Sequence, residues 1–172
     1  MRAGSILLLS PGRWAGSTCR ISLRAEVSRG RGDRNIASIH HEIVISSRPE
    51  EVWAAIRDVR AVHLRLLPGR VLDTRLHGDV RSLTLADGAV VRELIVDVDD
   101  QARRLAYAVV DGTRLPLTHH HASFQVFAEG SDRSRLVWIT DFLPGTLAPQ
   151  VRARIERGAA EMKRALEEAA GH

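Results

Sequence analysis

The sequence predicts an α+β domain in which a long C-terminal helix lies on an antiparallel sheet. Three observations predict it. Val151, Ile155, Ala159, Met162, Leu166 and Ala169 recur in steps of three and four, one narrow stripe on a helix of about six turns. Upstream, strand-like runs are separated by Gly78-Asp79, Asp87-Gly88, Asp99-Asp100, Asp111-Gly112 and Gly130-Ser131-Asp132, each a turn signal. Short turns between consecutive strands dictate antiparallel pairing.

The elements follow in order. Ile39 to Ser46 reads as a strand. Ser47-Arg48-Pro49-Glu50 has the form of a capping box, with Ser at the cap and Pro in the first turn of a helix running to about Asp58. Val52, Trp53 and Ile56 form its apolar face, and Trp53 is expected in the core. A second helical piece, Arg60 to Leu67, stops at Pro68-Gly69. Strands are expected over Val71–His77, Val80–Ala86, Ala89–Val98, Leu105–Val110, His119–Ala128 and Arg135–Leu143. The last helix spans Leu147 to Ala169, with Thr146 as its cap and Pro149 in its first turn. Gly158, Ala159 and Ala160 make it slim at the middle, which leaves space between helix and sheet.

Composition narrows the function. The formal net charge of the 172 residues is +4, but residues 1–34 hold seven arginines against Glu26 and Asp33. The remainder is therefore slightly acidic, and the basic excess is no argument for a nucleic-acid partner. Residues 1–36 lack periodicity and read as a disordered leader or a start codon set too early, ahead of one domain over 37–172. Lys163 is the sole lysine among 25 cationic residues, a bias of GC-rich and hence bacterial genomes. Cys19 stands alone, which excludes an internal disulfide and a cysteine-rich metal site. No apolar run approaches ~18 residues, so no membrane span is expected and the reading is cytoplasmic. Nothing calls for a cofactor.

Several motifs in this order resemble the SRPBCC superfamily, also called START-like or helix-grip, in its polyketide cyclase/dehydrase-like branch. They are Ser47-Arg48-Pro49-Glu50-Glu51-Val52-Trp53, Leu67-Pro68-Gly69, Asp87-Gly88 with Val91-Arg92-Glu93-Leu94, and Asp99-Asp100 with Arg103-Arg104-Leu105-Ala106-Tyr107. Leu115-Pro116-Leu117, Val137-Trp138 and Phe142-Leu143-Pro144 complete the set. The resemblance implies a seven-stranded antiparallel sheet wrapped around the C-terminal helix, with two short helices after strand 1 and an apolar cavity between sheet and helix. Plant abscisic acid receptors share the fold but carry a longer gate loop where this chain has only Ala86-Asp87-Gly88-Ala89.

Strand parity selects the side chains that could face a cavity. Before Asp99, the pattern prefers the even set Val90, Arg92, Leu94, Val96 and Val98 inside, whereas the resemblance places Glu93 inside. A three-residue turn with Gly88 left-handed sets Arg81 opposite Glu93; a two-residue Asp-Gly turn changes that register. A buried Glu93 needs Arg81 or a proton, because an isolated buried carboxylate is costly. Tyr107 and Val109 are expected inward, as are His120, Ala122, Phe124 and Val126. His119 and His121 then face away together, without a third metal ligand placed by sequence. Trp138 and Phe142 are left undecided by parity, and His63 and Arg65 are placed near the mouth.

The ligand-binding set is therefore Arg81, Glu93, Tyr107, His120, Phe124, Ile155, Gly158, Ala159 and Met162, with Glu93, His120 and Tyr107 as candidate proton carriers. The first reading is a container for a small hydrophobic or aromatic, lipid- or polyketide-like molecule. The second is a polyketide cyclase or dehydratase, and the third a protein-interaction domain with a vestigial cavity. The sequence shows no nucleophile elbow, phosphate loop or metal spacing, and it leaves the oligomeric state open.

Overall fold

A computed structural model describes residues 35–171. The leader assigned to residues 1–36 lies, up to residue 34, outside the described residues. Strand β1 (Ala37–Ile45) is followed by helices α1 (Pro49–Ile56) and α2 (Val62–Arg65). Six strands come next: β2 (Val71–His77), β3 (Val80–Leu85), β4 (Val90–Asp99), β5 (Arg104–Asp111), β6 (His119–Ala128) and β7 (Ser134–Leu143). A 3-10 turn (Gly145–Leu147) leads into α3 (Ala148–Ala169). The strands form one antiparallel sheet in the order β1-β7-β6-β5-β4-β3-β2. Each neighbour from β2 to β7 is thus a hairpin partner, and β1 closes against β7.

The helix caps differ from the sequence expectation by one residue. The N-cap of α1 is Arg48, not Ser47. Glu51, three residues on, accepts from the Arg48 N–H at 3.3 Å and from the Ser47 hydroxyl at 2.9 Å. Ser47 is instead buried, its carbonyl accepting from the Ser134 hydroxyl at 2.6 Å, which ties the start of α1 to β7. Thr146 does not cap α3: it sits in the 3-10 turn, and the cap position falls on Leu147 without a side-chain bond. The Gly145 N–H donates to the Asn35 carbonyl at 2.7 Å, so the entry to α3 is held at the start of β1.

The core lies between the concave face of the sheet and the helices. Ile45, Val52, Ile56, Leu105, Leu136, Met162 and Leu166 are buried there in one cluster. Trp53 belongs to it, and its indole N–H donates to Asp100 at 2.9 Å. Ile39, Phe142, Val151 and Ile155 form a second cluster at the N-terminal half of α3, with Leu115 and Leu117 of the β5–β6 loop against it.

Strand β4 decides which groups enter the interior. The β3–β4 turn has three residues, with Gly88 at φ +82°, and the ladder pairs Arg81 with Glu93. Both are buried. The even set expected inward by pattern is instead exposed: Val90, Leu94, Val96 and Val98 are 45, 37, 53 and 39% exposed. An irregularity between Ile95 and Asp97 then reverses the parity. Ile95 pairs with Tyr107, yet Asp97 pairs with Ala106 and Val98 with buried Leu105. A bulge adds one residue to one strand, so alternation read straight through it mixes two faces.

Candidate functional site

The concave face carries polar residues in a sheet-crossing row. Directly opposed residues on antiparallel strands share a face, so pairing places Arg81, Glu93 and Val109 side by side on β3, β4 and β5. Ile95, Tyr107, Ala122, Thr140 and Ile39 form the next row. Leu105, Phe124 and Trp138 follow.

Arg81 Nε donates to Glu93 Oε2 at 2.6 Å, with both side chains under a tenth exposed. The guanidinium also lies over the Tyr107 ring, 5.1 Å from its centroid. This arrangement answers the cost of burying Glu93: the carboxylate has a cation, and the cation has an aromatic face. Arg81 Nη1, however, has no hydrogen-bond partner. Burial, and then the Glu93 carboxylate, push the Tyr107 phenol well above its ordinary range, so its hydroxyl keeps its proton.

The aromatic side chains run on from this pair. Tyr107 and Phe124 have ring centroids 5.9 Å apart, and Phe124 and Trp138 4.9 Å at a tilt of 49°. Trp138 faces inward, which parity alone left open. A Cβ on Gly158 would stand 3.3 Å from the Trp138 ring. The slim middle of α3 therefore seats an indole: the space expected beneath Gly158 is taken by Trp138. Ala159 and Met162 are buried in the main core, and Ile155 packs with Phe142.

His120 lies inward at the other end of this face, beside Phe142 of β7. Burial, followed by repulsion from His119, Arg154 and His121, pushes its pKa down to about 4, so the imidazole is neutral at pH 7. Its Nδ1 is buried without a partner, as is Thr140 Oγ1. Val109, Gly112, Leu117, His119 and His120 line part of a recess of about 300 Å³ under the β5–β6 loop. Gly112 is required there: its φ is +77°, and a Cβ would meet the Val90 carbonyl oxygen.

The nine residues of the ligand-binding set are thus on or beneath the concave face. Thr140 was missed and Trp138 was left open by parity; both belong to the even set of β7 and are traceable only once β6 and β7 are in register. His63 and Arg65 have partners of their own. The His63 ring bonds the Thr74 hydroxyl at 3.0 Å, and Arg65 donates to the Ala54 carbonyl at 2.7 Å. Arg65 instead borders a recess of about 370 Å³ among α1, α2 and the end of α3. Among the described residues, no three His, Cys, Asp or Glu side chains are grouped to hold a metal ion. No described helix is long and apolar enough to cross a membrane.

A family model described as polyketide cyclase/dehydrase and lipid transport matches residues 37–167. The chain belongs to this family. Members and relatives of its fold are solved. XoxI from Bacillus cereus is 23% identical, with a TM-score of 0.66 over 78% of this chain and 95% of that one. Norcoclaurine synthase from Thalictrum flavum, solved with dopamine and hydroxybenzaldehyde, is 22% identical, with a TM-score of 0.64 over 82% and 92%. The Zhui aromatase/cyclase from a Streptomyces species is 17% identical, with a TM-score of 0.59 over 80% and 94%. At these identities the likeness shows the fold, which is the helix-grip arrangement described above. No curated protein matches the sequence.

Proposed function

We propose that the domain holds a small apolar or aromatic molecule between α3 and strands β3 to β7, oriented by the Arg81–Glu93 pair, Tyr107 and His120. The observation that carries this reading is three buried polar atoms left without partners: Arg81 Nη1, His120 Nδ1 and Thr140 Oγ1. All three belong to inward-facing residues. Buried polar atoms in native proteins are nearly always bonded, and an apolar replacement of a buried ion pair is often as stable. Polar groups retained against that preference fit a site whose ligand completes their bonds. The family description supports the same class of molecule.

Native mass spectrometry of the full chain purified from its own host, followed by denaturing extraction, tests the reading. A co-purifying small molecule is expected, and its loss in the Arg81→Met/Glu93→Leu double variant. Wild-type protein that carries no such molecule and takes up no neutral apolar fluorophore would sink it.

His120 favours a second reading, catalysis of a cyclisation or dehydration. Its neutral ring has a free Nδ1 that can exchange a proton with a bound substrate. A catalyst loses turnover on His120→Gln while still binding substrate; a container changes only in affinity.

A further inference from the structure

We infer that the outer face of the sheet over β3 to β5 is an interface on which a second copy of this chain docks about a two-fold axis. Arg92 of each copy then stands against the partner's Asp111. The inference does not depend on the binding reading above.

The patch is apolar and open. The ladder sets Val80, Leu94 and Ala108 side by side across β3, β4 and β5, on the face opposite to Arg81 and Glu93. Val90 and Arg92 alternate onto the same outer face. A register shift beside Arg92 gives β5 one extra residue, Val110, so Val110 and Asp111 lie together against Arg92. Val90, Leu94, Val96 and Val110 are all exposed. Single exposed apolar residues are ordinary, but a contiguous group marks an interaction surface.

Elsewhere the same face is closed over by its own side chains. Arg135 of β7 reaches Glu42 of β1 and Glu129, each at 3.2 Å, and its guanidinium covers the exposed Phe127 ring, 4.9 Å from the centroid. Arg104 pairs with Asp97 at 3.5 Å. Arg92 and Asp111 differ. They stand opposite one another in the ladder, yet no ion pair joins them, and among the described residues neither has a partner of opposite charge. The Asp111 carboxylate accepts only from the adjacent Gly112 N–H, at 2.7 Å.

A second copy is the occupant these features fit. A two-fold contact puts the same patch on both sides, so the patch must complement itself. Apolar side chains do so in any orientation. One cation beside one carboxylate does so as well: turned about the axis, each meets its opposite, and two ion pairs form across the contact. A strongly charged partner would call for a patch of one sign, and here the two charges cancel. The three strands are about 4.8 Å apart, and the reach along β4 from Val90 to Val96 makes the footprint about 10 by 20 Å. That is the core of a small interface, so the dimer is a weak one.

The test is sedimentation velocity of the full chain from about 1 to about 300 µM, where a reversible dimer with a Kd of about 10–100 µM is expected. Arg92→Asp and Asp111→Arg each set like charges face to face and should raise the Kd at least about tenfold, as should Leu94→Glu in the apolar centre. An equimolar mixture of the Arg92→Asp and Asp111→Arg chains restores both pairs, and only between chains. It should associate within about threefold of the wild-type Kd. Thermal melts confirm that each variant is folded before its Kd is read. A wild-type chain that stays monomeric throughout overturns the inference. So does a dimer that survives both single charge variants, or a mixture that associates no more tightly than its components.

Discussion

The two ends of the concave face are built differently. Under α1 and α2 the interior is dry and apolar: Ile45, Val52, Ile56, Leu105 and Leu136 are fully buried, and polar neighbours there find partners, as Trp53 does in Asp100. Toward the β5–β6 loop, the same sheet buries an ion pair, a neutral histidine and several polar atoms without partners. One end minimises free energy by excluding polarity. The other keeps polarity that folding alone does not need, and it is there that a ligand would be read.

Substitutions at each end sharpen the contrast. The largest effect is expected from Glu93→Ala, which strands the Arg81 guanidinium in the interior and should cost about 3–5 kcal/mol in urea unfolding. The double variant Arg81→Met/Glu93→Leu should recover most of that stability. If it were as unstable as the single variant, the pair would be a structural requirement and the contrast would break. Leu105→Ala, at the dry end, should cost about 2–5 kcal/mol through lost burial and a cavity, with ligand uptake intact in the folded fraction.

A smaller, pH-dependent effect belongs to His120. Its folded pKa, about 4, lies below the ordinary histidine value, so the unfolded chain binds the extra proton between roughly pH 6.5 and 4. Stability should therefore fall as pH drops through that window, by up to about 3 kcal/mol, and level off below it. The His120→Gln variant should lose this part of the acid slope in thermal melts taken from pH 7 to pH 4. An unchanged slope would mean that His120 is solvated and outside the polar end.

Much of this arrangement was readable along the chain, because strand and turn signals are local. Asp87-Gly88 carried enough information to offer a three-residue turn, and that turn brings Arg81 opposite Glu93. The inward place of Tyr107, His120 and Phe124 followed from alternation along unbroken strands. Where the chain deviates from regularity, alternation failed. The register set by the β3–β4 turn put Val90, Leu94 and Val96 outside, although they are more apolar than the buried Glu93, and the irregularity after Ile95 then broke the alternation. Ser47 and Arg48 compete for one cap position, and the bond between Ser134 and the Ser47 carbonyl accompanies the shift.

The sequence by itself determined the elements, their order and the long helix stripe, since propensity, turn chemistry and periodicity act over a few residues. Only the tertiary structure decided what fills the middle. The Trp138 ring of β7 lies against Gly158 of α3, and Arg81 of β3 lies over the Tyr107 ring of β5. Such juxtapositions depend on packing and on the sum of many burial energies, which no single stretch of residues carries.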